Sequence, residues 1–512
     1  MSFAVGQRVC LRQSDVERRG TVRYVGYLEQ ADARKGPYAG VEWDEPREGL
    51  HDGVLNGRRF FEARPNSASF VPITKLDKGR TAVAALNEKY GTLEEYDVGV
   101  RFGRKEVEAV GWKKTMDKVS HFDRLIHVDL TGFNVNHQGL DQLADLIKNA
   151  ETLSLGKSLI SSWSSILSVV ERLPKVTMLD LSENRLHMDT NETSVRIKRL
   201  ILRRNDVHWD DVMKTLRLFP ELEEIYLAQN NINTITASEV LESSKLTLVD
   251  LDKQQCRLSD WKAIRQLGNL PNLKILQLSE NFLDTISFPD CGPEGTTKYF
   301  PKLSQLTLRM NDIAEWSSIS ELDKLPKLEN LKIYPNKVLD SVSPATARQW
   351  VIAKVGNLKV LNQSQVSASE RRDSELDYMR QFGAEWVDAT KSANPDRISS
   401  FLFQHPRFKQ LLVKYGPLDA DEASQAGPQA QLKSSLIKVI LQHQEQKKEK
   451  TLPNTINVLK LKRLVEKLFR ISQTEKLAYV TPEHPDVTFF LDDDQKEISH
   501  YDIKSGDTIL IC

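Results

Sequence analysis

The sequence predicts a multidomain chain: a small all-β module, an α/β repeat solenoid with a helical cap, and a final α+β module. Three observations carry this prediction. A leucine-and-asparagine pattern recurs through the middle of the 512 residues, and short apolar runs broken by glycine fill the first 80. Near the end, strand-like alternation surrounds one segment with helical spacing. At roughly 100–200 residues per domain, a chain of this length holds about three or four.

The repeat follows the template L-x-x-L-x-L-x-x-N-x-L. It fits Val176-Leu179-Leu181-Asn184-Leu186, Ile197-Leu200-Leu202-Asn205-Val207 and Leu222-Ile225-Leu227-Asn230-Ile232. It fits again at Leu273-Leu276-Leu278-Asn281-Leu283, Leu303-Leu306-Leu308-Asn311-Ile313 and Leu328-Leu331-Ile333-Asn336-Val338. Leu246-Val249-Leu251 is a weaker copy with Gln254 at the asparagine position, Leu125-Val128-Leu130 a degenerate early one, and Leu358-Leu361 a truncated last one. This resembles a leucine-rich repeat. The L-x-L core is a strand with period-2 burial, and the asparagine serves backbone groups that stacking would otherwise bury bare. One unit cannot bury its own apolar face, so the stack supplies the core. The residues between the leucines point outward: Arg199, Arg203, Tyr226, Asp250, Arg309, Lys332 and Tyr334 are expected to line the concave face as a protein-binding strip.

The domain boundaries read as residues 1–80, a connector at 81–120, repeats at 121–368, a helical cap and linker at 369–432, and a last module at 433–512. Ser369 to Arg380 is strongly helical and is expected to close the repeat stack. Asp419 to Gln431 has linker composition.

Composition narrows the function. The chain carries 71 Lys+Arg and 71 Asp+Glu, so no global field draws it to nucleic acid or an anionic membrane. The first module is mildly basic, with 14 Lys+Arg against 11 Asp+Glu over residues 1–80, a net +3. No apolar stretch of about 18 residues predicts a membrane span. Four scattered cysteines and a polar N-terminus lead us to expect a reduced, cytoplasmic protein. No catalytic constellation, metal-ligand spacing or cofactor fingerprint appears, so the expectation is no enzyme, no metal and no cofactor. Gly156-Lys157-Ser158 imitates a phosphate loop, but Glu151 stands where its first glycine is required.

The first module is similar to CAP-Gly domains through Gly20-Thr-Val-Arg-Tyr-Val-Gly26, Gly36-Pro-Tyr-Ala-Gly40-Val-Glu-Trp43, Gly49-Leu-His-Asp-Gly53, Phe60-Phe61 and Phe70-Val71. That resemblance implies a groove for acidic C-terminal tails ending in an aromatic residue, as on α-tubulin, with Tyr38, Trp43, Gly49, Leu50, His51, Asp52, Gly53, Phe61 and Phe70 as contact candidates. Leu50 departs from the family's Gly-Lys-Asn-Asp-Gly, which weakens carboxylate capture; His51 is expected to help below about pH 6.5, where it charges. Trp43, Phe61 and Phe70 read more readily as core, and Tyr38 and the Gly49–Gly53 loop as direct contacts.

Leu436-Ile-Lys-Val-Ile-Leu441, a polar turn from Gln442 to Lys450, the helix Thr455–Phe469, and the strands Thr488–Leu491 and Asp507–Ile511 resemble a ubiquitin-like β-grasp fold. The sequence shows no Gly-Gly after Ile511, so a docking module is expected rather than a conjugated modifier. The order of the three modules, with Glu370 to Tyr378, Phe382-Gly-Ala-Glu-Trp386 and His405-Pro-Arg-Phe408, resembles the tubulin-folding cofactor E (tubulin-specific chaperone E) family. The resemblance implies a non-enzymatic, cytoskeleton-associated chaperone that binds α-tubulin and works with cofactors B, C and D on the α/β-tubulin heterodimer. A microtubule-tethering scaffold, or an adaptor linking repeat-bound clients to proteasome or ubiquitin machinery, are the rival readings.

Overall fold

The computed structural model describes residues 3–11, 18–28, 37–45, 47–91, 101–102, 105–106, 122–254, 258–391, 394–416, 436–471, 474, 476–482, 484–501 and 503–511. They form two compact units, Met1–Asn281 with Tyr299–Leu303, and Phe282–Lys298 with Ser304–Cys512. The linker expected at Asp419–Gln431 lies outside the described residues.

The first unit opens with seven short strands: β1 (Arg8–Leu11), β2 (Arg19–Gly26), β3 (Tyr38–Trp43), β4 (Val54–Leu55), β5 (Arg58–Arg59), β6 (Ala68–Pro72) and β7 (Leu76–Asp77). Five make an antiparallel sheet in the order β6-β3-β2-β1-β7, while β4 and β5 form a separate hairpin. Val9, Val22, Ala39, Val41, Trp43 and Leu76 alternate inward to form its core. In the connector, Ala82–Tyr90 is a helix whose Thr81 side chain accepts the Ala84 N–H.

The repeats of this unit supply seven parallel strands, from His127–Asp129 to Ile275–Gln277, each pairing the next in register. The strand leucine positions of these repeats are buried, Leu179, Leu200, Ile225 and Leu276 among them, while Leu125, Leu186 and Val207 at the edges of the template are half-buried. The asparagines do the work their positions require. Asn230 donates to the carbonyls of Leu202 (2.7 Å) and Leu227 (2.9 Å), and its Oδ1 accepts the Asn205 N–H (2.8 Å). Asn184 repeats this arrangement; Asn281 donates to Leu251 O at 2.7 Å and accepts the Gln254 N–H, and Gln254 donates to Leu227 O at 2.9 Å. The false phosphate loop is part of the same ladder, since Ser158 N–H donates to Asn184 Oδ1.

In the second unit the strands Gln305–Thr307, Asn330–Lys332 and Val360–Leu361 run parallel, and Ser364–Gln365 turns back antiparallel. Asn311 and Asn336 carry the ladder here. The helices Ala368–Lys391, Pro395–Gln404 and Phe408–Tyr415 follow. They gather Tyr378, Met379, Phe401, Phe408 and Leu411 around Ala353 of the preceding helix. Glu375 sits fully buried among them. Burial alone would push its carboxyl up, but Lys414 (2.6 Å), Tyr415 (2.8 Å) and Arg407 (3.1 Å) hold it below the usual carboxylate range.

The last module is a five-stranded mixed sheet ordered Gln446–Pro453, Leu436–His443, Thr508–Ile511, Leu477–Thr481, His484–Leu491. Its central pair, Leu436–His443 with Thr508–Ile511, is parallel, and the other pairings are antiparallel. The helix Val458–Phe469 packs Val458, Leu461 and Val465 against Val439, Leu477 and Ile509. This is the ubiquitin-like β-grasp arrangement. Two elements differ from expectation: the segment read as a turn, Gln442 to Lys450, is mostly strand, with the turn only Gln444–Glu445 and Gln446–Pro453 a strand, and the strand Leu477–Thr481 was not expected. The strand Gln446–Pro453 is at the sheet edge with one face in water, and its lysines discourage further strands from adding there.

Asn230→Leu tests the ladder. It removes the donor from the Leu202 carbonyl and the acceptor from the Asn205 and Val207 N–H groups, while Leu227 O keeps its bond from Gln254, and urea unfolding is expected to show a loss of roughly 2–4 kcal/mol, about 1–3 for each group left bare after partial relaxation. A loss below about 0.5 kcal/mol would mean the amide is dispensable, as at an ordinary exposed site. Glu375 gives a second test. Its folded pKa is depressed, so its contribution is present above the ordinary glutamate range and is lost as pH falls through its folded value; Glu375→Gln should flatten this acid limb of a pH-dependent melting curve.

Candidate protein-binding surfaces

The groove of the first module is built from aromatic rings laid across a sheet that has glycine at its centre. Gly40 on β3 pairs Tyr24 on β2 and Phe70 on β6. A Cβ on Gly40 would stand 2.2 Å from Phe61 Cε1, so glycine is what lets the Phe61 ring lie against the strand. Around it, Tyr24–Phe60 centroids are 5.2 Å apart, Phe60–Phe70 5.3 Å, Phe61–Phe70 5.6 Å and His51–Phe70 5.1 Å, mostly edge-to-face. Arg58 lies over the Phe60 ring at 5.0 Å.

The Gly49–Gly53 loop crosses one edge of this cluster. His51 exchanges backbone bonds with Ala68, and a Cβ on Gly53 would meet Phe61 O at 2.1 Å with φ at +100°, a combination that only glycine accommodates. Asp52 is held by Arg59 at 2.9 Å, and that bond draws its carboxyl below the usual range. Leu50 projects into solvent, 84% exposed.

The expected contact residues thus separate. Leu50, His51, Tyr38 and Phe70 lie at the surface or half-buried. Gly49, Gly53 and Asp52 shape the loop. Phe61 is buried beneath the rings, and Trp43 is 1% exposed with its indole N–H on Ser69 Oγ at 3.2 Å, so Trp43 serves the core. Tyr24 and Phe60 join the cluster without having been among the expected contacts. Strand alternation hid Tyr24, because a register shift between Val22 and Tyr24 re-aims it.

His51 also differs from expectation. Its Nδ1 accepts the Gly53 N–H at 3.0 Å, so protonation there would cost the loop a bond. Burial pushes its pKa below the ordinary histidine value, only partly offset by Asp52. The gain expected at about pH 6.5 therefore moves further toward acid.

This module is clamped onto the repeats within the same unit. Arg204 pairs Glu45 at 2.5 Å, Arg185 donates to Asp44 O at 2.9 Å, and Arg64 reaches Asp206 at 3.4 Å while donating to Trp43 O at 2.9 Å. Beneath them Arg8 grips Asp44 at 2.6 Å. Burial would raise Asp44, yet Arg8, Arg185 and Arg19 together hold its carboxyl low. Arg185, Arg204 and Asp206 flank Asn184 and Asn205 in the turns after the repeat strands. The clamp therefore sits on the turns and leaves the strand residues to the concave strip.

On that strip in the first unit, the expected residues form one network. Arg199 binds Glu224 at 2.6 Å, Tyr226 donates to the same carboxylate at 2.8 Å, and Arg203 binds Asp250 at 3.2 Å while lying over the Tyr226 ring at 5.4 Å. Asp250 is almost fully buried. Next to it, burial and the Asp250 charge push Asp252 up to about 6. In the second unit Arg309 donates to Tyr334 O at 3.2 Å, and Lys332 is half-buried on its strand. Among the described residues no cluster of His, Cys, Asp or Glu is arranged to hold a metal ion, and no helix is long and apolar enough to cross a membrane.

Binding of a Glu-Glu-Tyr-ended peptide, followed by fluorescence anisotropy from about pH 7.5 to about pH 5, should strengthen only toward the acid end, and His51→Gln should remove that rise. A rise centred on the ordinary histidine range would mean the Nδ1 bond does not hold in solution.

Comparison with known proteins places these surfaces in context. The family model described as the CAP-Gly domain matches residues 5–76, and that of the leucine-rich repeat matches residues 249–389. The chain is 34% identical over 509 residues to tubulin-specific chaperone E of Xenopus laevis, with 96% of each chain covered. It is 33% identical over 512 residues to the Homo sapiens protein of that name, again with 96% of each covered. Among solved structures, the C-terminal ubiquitin-like domain of mouse tubulin-specific chaperone e matches at 26% identity and a TM-score of 0.14, covering 15% of this chain and 84% of that one.

Proposed function

We propose, because this chain belongs to the tubulin-specific chaperone E family, that it is a cytoplasmic tubulin-folding chaperone that works by binding rather than by chemistry. The finer reading is a two-point grip on α-tubulin. The aromatic groove takes the acidic C-terminal tail, with the terminal ring against the Tyr24–Phe60–Phe70 cluster and the carboxylates toward His51, Arg58 and the loop backbone. The concave strip of the repeats, with Arg199, Arg203 and Tyr226, takes the body. The C-terminal module docks one of the other tubulin cofactors, B, C or D, so that the α/β heterodimer is joined or taken apart.

The observation that supports this reading most is the clamp between groove and repeats. Two weak sites held at a fixed separation act at high effective concentration, because the second contact is intramolecular once the first has formed. Leu50, which supplies no charge to the groove, is then tolerable: the tail contact needs only to add to a body contact.

Size exclusion of the full chain with soluble α/β-tubulin should give a complex or dissociated subunits, and tail-cleaved tubulin should give a weaker effect of the same kind. Indifference to both forms would end the chaperone reading. Leu50→Lys restores a cation beside the tail and should strengthen peptide binding by about three- to tenfold, an effect that fades in high salt. An unchanged affinity would place the Gly49–Gly53 loop away from the carboxylates.

A further inference from the structure

The second unit contains a cavity of ≈ 470 Å³ that the tail-binding reading does not use. One wall comes from the last repeats and the helix Pro344–Lys354, the other from the Ile498–Tyr501 turn of the C-terminal module. Its floor is apolar, with Ile333, Val351 and Leu361 buried. Its lining includes Arg309, Arg348, Lys496 and His500 and no aspartate or glutamate. In a chain whose charges balance at 71 to 71, a cavity whose formally charged lining residues are Arg309, Arg348 and Lys496 is an electrostatic feature that favours anions.

The charges of this lining are not equally available. Arg348 is committed to Glu370 at 2.6 Å and to Leu361 O at 3.2 Å. Arg309 is exposed and gives its Nε to Tyr334 O at 3.2 Å, a neutral acceptor that leaves its charge uncancelled. Lys496 approaches His500 Nε2 at 2.9 Å; the nearby Asp492 carboxyl is held low by the Tyr501 hydroxyl and also by the Lys496 charge, which is thereby partly offset. Across the cleft, the Tyr334 and His500 rings lie 5.9 Å apart. Of the acidic groups nearby, Asp492 accepts the Tyr501 hydroxyl at 2.9 Å, and Glu497 accepts Ser499 at 3.2 Å. Asp340 acts on Tyr334, whose phenol is raised first by burial and then by that charge.

We propose that this cleft is a binding site for an acidic peptide, in which an apolar side chain enters the floor and flanking carboxylates pair with Arg309 and Lys496. An apolar floor beneath a cationic rim matches that chemistry, whereas a phosphate group calls for converging N–H donors. The helix that begins at the cavity edge does not supply them: Pro344 has no N–H, and the Thr346 N–H is taken by the Ser343 side chain at 3.1 Å. Because the walls come from the repeats and the C-terminal module, the peptide touches both at once. The site stands independently of the groove in the first module.

The test uses the full chain and a fluorescein-labelled Glu-Glu-Leu-Glu-Glu peptide, acetylated and amidated so that it offers no terminal carboxylate to the groove. Anisotropy is expected to report binding that weakens with salt, and Arg309→Glu and Lys496→Glu are each expected to weaken it about tenfold or more, as for rim charges facing an opposite charge. Both side chains are exposed, and an unchanged circular-dichroism spectrum confirms the fold. The Arg309→Glu/Lys496→Glu double variant should instead bind the corresponding Lys-Lys-Leu-Lys-Lys peptide. Absent binding, or binding that neither variant weakens, overturns the proposal and leaves the groove reading intact. Displacement of the peptide by pyrophosphate at lower concentration than by unlabelled peptide would overturn it in favour of a phosphate site.

Discussion

A buried amide that bonds the carbonyls of two successive coils is the constraint on which the rest of this molecule depends. Each repeat is too small to bury its own leucines, so it must stack, and stacking takes the turn backbone out of water. Asn184, Asn230, Asn281, Asn311 and Asn336 answer that need. The side chain is short enough to stay inside the turn and carries both donor and acceptor. Once the ladder is in place, the strands are in register, and residues that alternate with the leucines are displayed in rows.

The functional surfaces are consequences of those rows. Arg199, Glu224 and Tyr226 meet because neighbouring strands place residues of equal register side by side. The same turns that hold the asparagines present Arg185, Arg204 and Asp206 to Asp44, Glu45 and Arg64 of the first module. Exposed ion pairs of this kind contribute little singly, but several around the buried Arg8–Asp44 pair form a network. The result is an aromatic groove with a fixed address on the repeat array.

The sequence made the repeat legible because leucine and asparagine must occupy fixed positions, and even the Gln254 departure kept its donor. The groove was legible as a loop and a set of aromatics, since Gly40 and Gly53 permit close approaches that no other residue does. Its finer sorting was not. Trp43 faces inward, as its core reading allowed, but Tyr24 is turned by a bulge, and that is not written in local alternation. The strand Gln446–Pro453 was hidden by its lysines, which suit an exposed edge yet read as a turn. The clamp was invisible because Arg64 and Asp206 are separated by 142 residues, and only the folded stack brings them together. The cationic cavity likewise joins Arg309 to Lys496 through tertiary structure alone.

The central claim is that groove and repeats act on one tubulin as a single rigid pair of sites. The double variant Arg185→Glu/Arg204→Glu tests it most directly, because it removes both arginines that the repeat turns contribute to the clamp while touching neither the aromatic cluster nor the concave strip. Affinity is measured for whole α/β-tubulin and for the isolated Glu-Glu-Tyr-ended peptide. The account predicts that the variant binds the peptide normally but loses roughly tenfold or more toward tubulin, as effective concentration falls. Equal affinity of the variant and the parent protein for tubulin would contradict it.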